Sequence, residues 1–149
     1  MSSIFNTRRE FVKGTAAGLS LLTLPSLLSA GPNSIIEKKK IVCVGAHPDD
    51  PESGCGGTLA KLVNSGHEVT IIYLTTGEAG ITGTSHDEAA RIRKQEAINA
   101  CKVLNAKPIF AGQIDGDTVV SNTTLQHLQD LINNEKPRYS FYPLAHRFA

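Results

Sequence analysis

Tryptophan is absent from this sequence, and aromatic residues make up only 5% of it. A surface that stacks successive bases of single-stranded nucleic acid needs an aromatic platform, so that class is set aside. There is no charge excess either. Of 15 basic and 14 acidic residues, Arg8, Arg9, Lys13 and Glu10 fall in the first 30 positions, leaving 12 basic against 13 acidic. Recognition of a phosphate backbone needs a basic face, and this balance offers none. Cysteine is scarce and odd in number: Cys43, Cys55 and Cys101, with no C-x-x-C pair. Neither a disulfide framework nor a zinc ribbon is indicated. Cys43 and Cys101 fall in apolar patterns and are expected in the core. Cys55 lies among glycines and is left open between packing and metal ligation. Long apolar runs are missing too. Gly14 to Leu28 is mildly apolar and is broken by Pro25; a permanent membrane span needs about 20 strongly apolar residues.

The chain is organised around Lys40 to Ala60, which reads KIVCVGAHPDDPESGCGGTLA. Ile41 to Val44 is a short, largely β-branched run suited to a buried parallel strand. The run ends at Gly45; His47, Asp49 and Asp50 follow, then Gly54, Gly56 and Gly57, and a helical pattern from Thr58 to Asn64 closed by Gly66. Strand, polar loop and helix form the first half of a βαβ unit, and ligands bind at the carboxyl ends of strands in such sheets. One imidazole and two carboxylates within four residues can supply mixed nitrogen and oxygen ligands to Zn²⁺ or another divalent cation. Adjacent side chains of an extended segment diverge, so one carboxylate can bind metal while its neighbour serves as a general base.

Ala46-His47-Pro48-Asp49-Asp50, then Glu52, then Gly56-Gly57-Thr58-Leu59-Ala60 resembles the start of the PIG-L/LmbE-like family of zinc-dependent N-acetyl-sugar deacetylases. The resemblance implies an α/β fold with a Rossmann-like parallel sheet and flanking helices, and it makes His47 and Asp50 metal ligands and Asp49 the base that activates water. Pro51 separates Glu52 from the aspartate pair, unlike members with glutamate directly after it, and leaves the role of Glu52 open.

Glu68 to Thr75 reads as a second strand, followed by a Thr76-x-Glu78 loop on the same sheet edge that either lines the cleft or is a plain turn. Ser85 to Glu88 has the form of a capping box opening a helix that runs to about Leu104, with Ala90, Ala97, Ile98, Cys101 and Leu104 inward. Arg93-Lys94-Gln95-Glu96 resembles the family's Arg-x-x-Glu. Arg93 is therefore a candidate substrate-binding residue, with a surface salt bridge to Asp87 or Glu96 as the alternative. A third strand spans Lys107 to Ala111. Asp115 after it matches an Asp-Gly of the family and is a second candidate substrate contact, or an Asx turn. Thr123 to Asn133 is an amphipathic helix with Leu125, Leu128, Leu131 and Ile132 inward, and a fourth strand opens at Tyr139. His67, His86 and His127 are expected at the surface.

At the front, Thr7 to Lys13 matches a twin-arginine export signal, a receptor-read address. Residues 1–30 are thus expected to direct export to the periplasm or beyond, with 31–39 as a linker and 40–149 as the front part of the deacetylase domain. At the back, the family resemblance calls for a third metal ligand, a histidine after Thr-His-Trp-Pro. Shifting the codons of Phe141 onward by one base can recover Phe-Thr-His-Trp-Pro. Residues 142–149 are therefore expected to be frame-shifted, His146 to be no ligand, the sheet to be incomplete at its C-terminus, and the 149-residue chain to be inactive. The expected function of the intact protein is metal-dependent removal of an acetyl group from an N-acetylated amino sugar or glycoside. The alternative is a non-catalytic carbohydrate- or nucleotide-binding module; against the nucleotide form, the glycine spacing after Gly54 fails G-x-G-x-x-G.

Overall fold

The computed structural model describes residues 37–142. Residues 1–30, expected to be an export signal, most of the expected linker and the tail from 143 onward, with His146, lie outside the described residues. The order of elements is β1 (Lys40–Gly45), α1 (Asp50–Asn64), β2 (Glu68–Thr75), α2 (His86–Leu104), β3 (Lys107–Gln113), α3 (Asn122–Glu135) and β4 (Tyr139–Phe141). All pairings are parallel, and the strands lie in the order β3-β2-β1-β4. The chain thus steps outward from β1 to β3 and then returns to the far side of β1. Right-handed crossovers put helices on opposite faces when the direction of travel reverses. The packing agrees. One core contains Ile41, Cys43, Leu59, Ile71, Tyr73, Ala97 and Cys101 beneath α1 and α2. The other has Val42, Val44 and Ile72 against Leu128, Leu131 and Ile132 of α3.

β1 and β2 are buried on both faces, which is why they read as unbroken apolar runs. Each fully buried aliphatic side chain there contributes about 1.5–3 kcal/mol. Helix α3 has no fully buried residue, so the second face is held less firmly than the first. Among the described residues, no helix is long and apolar enough to cross a membrane.

Four local expectations change. The helix expected from Thr58 begins at Asp50, and the glycine stretch is helical apart from a kink at Cys55 (φ −150°, ψ 15°). Pro51 in the first turn supplies a φ suited to a helix start, a signal that outweighs the following glycines. The capping box at Ser85 is half formed: the Glu88 amide donates to the Ser85 hydroxyl, but the Glu88 carboxylate pairs with Arg91. A reciprocal box forms instead between Ser121 and Thr124. Leu125, expected inward, is 54% exposed, because only the Leu128, Leu131 and Ile132 stripe of α3 reaches the sheet. On α2 the fully buried alanine is Ala89, with Ala90 half-buried.

Candidate active site

The reversal of strand order falls at β1, and the loop after β1 carries the His-Pro-Asp-Asp segment. This is the switch point at which open α/β sheets bind ligands. Gly45 makes the loop possible. A Cβ there would lie 2.6 Å from both Cδ and Cγ of Pro51, so only glycine lets the first turn of α1 close over the strand end. Asp49, the residue before α1, adopts a left-handed conformation (φ 94°), which aspartate tolerates better than most residues. Its carboxylate makes no cap to the helix amides. It accepts a hydrogen bond from Arg93 Nη2 at 2.8 Å, and the same nitrogen donates to the Pro48 carbonyl at 2.6 Å. Arg93 Nη1 reaches Glu96 at 2.8 Å. Arg93 thus forms the expected salt bridge to Glu96 and none to Asp87.

Asp50 points the other way, so the two carboxylates diverge. Its Oδ2 accepts from the His47 amide at 2.8 Å and lies 3.1 Å from His47 Nδ1. The other ring nitrogen, His47 Nε2, is 2.9 Å from Asp115 Oδ1. Asp115 is fixed in turn by the loop after β2: its Oδ2 accepts from the Ala79 amide, and its own amide donates to Glu78. Burial opposes ionisation of Glu78, but hydrogen bonds from the Thr76 hydroxyl and the amides of Glu78 and Asp115 outweigh it. Glu78 therefore titrates below the ordinary carboxylate range. The Thr75 amide and hydroxyl both donate to the Ala46 carbonyl, tying the β1 and β2 ends together.

His47, Asp49, Arg93 and Asp115 line one cavity of about 180 Å³, together with Gly77 and Gly80. A neighbouring cavity of about 170 Å³ lies between Pro48, Asp49, Glu52, Arg93 and Glu96. Two buried polar atoms have no partner among the described residues, Arg93 Nε and Glu52 Oε2, and their residues share the second cavity. A larger space of about 650 Å³, lined by Lys38, Lys40, Glu68 and Lys107 among others, lies at the amino-terminal ends of the strands. The chemistry-bearing loops all lie at the opposite edge.

The donor set fits a cation. A neutral imidazole can donate a hydrogen bond from only one nitrogen, yet both nitrogens of His47 face carboxylate oxygens. The second contact brings two acceptors together unless a proton or a metal ion lies between them. Among the described residues no group of three or more His, Cys, Asp or Glu side chains is placed to hold a metal.

Sequence reasoning missed two contacts here. The contact between His47 and Asp115 spans 68 positions, and no local signal announces it. The other is Glu52, which turns inward to accept the hydroxyl of buried Tyr73; a tyrosine in a central strand, needing a partner for its hydroxyl, was the available clue. Cys55 is likewise turned inward, towards Cys43 and the Pro51 carbonyl. His86 and His127 are exposed as expected, whereas His67 is half-buried and accepts from the Lys39 amide.

The family model for GlcNAc-PI de-N-acetylase, PIG-L, matches residues 42–147. The chain belongs to the PIG-L family. Within it, the chain is 34% identical over 111 residues to the uncharacterized deacetylase YaiS of Escherichia coli, covering 73% of this chain and 57% of that protein. It is 35% identical over 109 residues to the diacetylchitobiose deacetylase of Thermococcus kodakarensis, covering 70% of this chain and 40% of that one. The chain thus spans about half the length of these PIG-L relatives. Its fold matches the N,N′-diacetylchitobiose deacetylase structure from Pyrococcus horikoshii with a TM-score of 0.67 at 27% identity, over 94% of this chain and 51% of that one. The same PIG-L fold is seen in a 4-carboxy-2-hydroxymuconate hydratase from Pseudomonas, at 24% identity and a TM-score of 0.63 over 68% of this chain and 45% of that one.

Proposed function

We propose that the intact protein is a zinc-dependent N-deacetylase acting on an N-acetylated amino sugar or similar glycoside. The observation that carries this is the convergence of His47, Asp49, Arg93 and Asp115 on one cavity, with Asp50 hydrogen-bonded to His47 behind it, supported by relatives named as deacetylases. His47 and Asp50 would hold the cation, with a third ligand from outside the described residues. When bound, zinc supplies a Lewis acid for the acetyl carbonyl and for water. Asp49 accepts the proton of the attacking water; its side chain is 60% exposed and opens to the cleft. Arg93 sets the direction of that carboxylate, since an ion pair this exposed adds only about 0–1 kcal/mol to stability. Its Nη1, which gives one hydrogen to Glu96, has a second to offer a sugar hydroxyl. Asp115 orients the His47 ring, and its remaining lone pairs can accept from a second hydroxyl.

Zinc binding to the purified chain tests the site without depending on turnover. Expected is one bound zinc, with affinity reduced at least about tenfold by His47→Ala and by Asp50→Ala; unchanged affinity in both variants overturns the assignment. In a protein that also carries the third ligand, acetate release from N,N′-diacetylchitobiose should fall by about 10²–10⁴ in Asp49→Asn while zinc stays bound. The 149-residue chain alone is expected to release no acetate above background. A carbohydrate-binding module without chemistry would bind sugar but no zinc. We further propose export by the twin-arginine route, which Arg8→Lys with Arg9→Lys should block in a fractionation experiment.

A further inference from the structure

The cysteine count argues against a disulfide framework, yet the fold brings two of the three thiols into contact. Cys43 lies in the middle of β1, fully buried. Cys55 comes from the kink of α1, half-buried, with its Sγ 3.7 Å from that of Cys43 and 3.2 Å from the Pro51 carbonyl it donates to. The third thiol, Cys101, is held elsewhere, 3.4 Å from the Tyr73 hydroxyl. We infer that Cys43 and Cys55 are a disulfide-forming pair that staples the first turns of α1 to β1, directly behind the Asp49-Asp50 loop.

A disulfide needs its sulfurs about 2.05 Å apart, so the pair must close by roughly 1.7 Å. The strand cannot supply that movement, because β1 pairs with β2 and β4 on its two sides. The helix can. Cys55 is the one residue of α1 outside helical φ/ψ, and a Cβ on the adjoining Gly56 would meet no atom within 4 Å. Rotation at the kink therefore moves the Cys55 sulfur without a clash at its neighbour. Cys55 is also the more accessible thiol, so it is the point of entry.

With oxidised glutathione as the oxidant, the Cys55 thiolate attacks one glutathione sulfur and expels a glutathione thiolate. The Cys43 thiolate then attacks Cys55 Sγ, forming the Cys43–Cys55 bond and expelling the second glutathione. Two thiol protons and two electrons leave the protein, and one glutathione disulfide becomes two thiols. Burial raises both protein thiols above the ordinary range, so the exchange should quicken as the pH is raised above neutrality.

The test uses the full 149-residue chain, oxidised under native conditions, alkylated in denaturant and cleaved after glutamate. Cleavage after Glu52 separates the two cysteines, so the staple is read as two joined peptides. Expected is the loss of two of the three alkylatable thiols, with Cys101 the one modified, and a melting temperature higher by roughly 5–10 °C than that of the reduced chain. Cys55→Ser should abolish the joined peptides and Cys101→Ser should leave them in place. Three free thiols after oxidation, or pairing that involves Cys101 as often as Cys55, overturns the inference. Oxidation in denaturant gives the statistical pairing against which the native result is judged.

Discussion

At the scale of single residues, the site depends on one missing Cβ more than on any attractive contact. The 2.6 Å approach that a side chain at Gly45 would make to Pro51 has no flexible atom to absorb it, since both groups belong to the start of α1 and the end of β1. Gly45→Ala should cost about 1–3 kcal/mol and should weaken zinc binding as well, because moving Pro51 moves Asp50. Chemical denaturation and a zinc titration measure the two effects. Gly57→Ala is the opposite case. It lies inside α1 with no atom within 4 Å of its Cβ, so the same change there should stabilise by about 0.5–1 kcal/mol. A polar loop between strand and helix was legible from the residues; that the strand-end glycine is a steric necessity was not, because it depends on how closely Pro51 folds back.

Among the elements, α3 is the most weakly held. It packs through half-buried leucines and Ile132, and its C-terminal end is fastened by Glu135, which accepts from the Thr70 hydroxyl at 3.0 Å and pairs with Lys107 at 2.6 Å. Burial works against the charge on Glu135, but the Lys107 and Thr70 hydrogen bonds more than offset it and hold its pKa below the ordinary value. A depressed carboxylate pKa contributes stability that is present above the unfolded value, about 4.3, and lost as pH falls through the lower folded value. Glu135→Gln should therefore lower stability by about 0.5–1 kcal/mol at pH 7, and the gap from the parent should close below roughly pH 4. Denaturation midpoints across that pH range decide it. The amphipathic pattern gave the stripe of α3 that meets the sheet apart from Leu125; the acid that ties the helix end to β2 and β3 comes from contacts too distant in sequence to anticipate.

Across the whole molecule, stability falls away from the β1–β2 centre. These two strands are covered on both faces, whereas β4 pairs along only three residues and Tyr139 is 58% exposed. Native-state hydrogen exchange should find the slowest amides in β1 and β2, and much faster ones in β4 and α3. Uniform protection across all four strands would contradict this gradient. The loop that carries His47, Asp49 and Asp50 hangs from the protected strands, so local opening at β4 need not disturb it.

The order of strands and helices, the chemistry of the loop after β1 and the divergence of Asp49 from Asp50 were determined by the sequence itself, since each follows from local periodicity or from neighbouring residue types. Tertiary structure alone decided that Arg93 steers Asp49, that Asp115 backs His47, that Glu52 turns inward to Tyr73, and that Cys43 meets Cys55. Those contacts form only when crossovers fold separate segments onto one sheet edge or one sheet face, and no local pattern records which side chains will then meet.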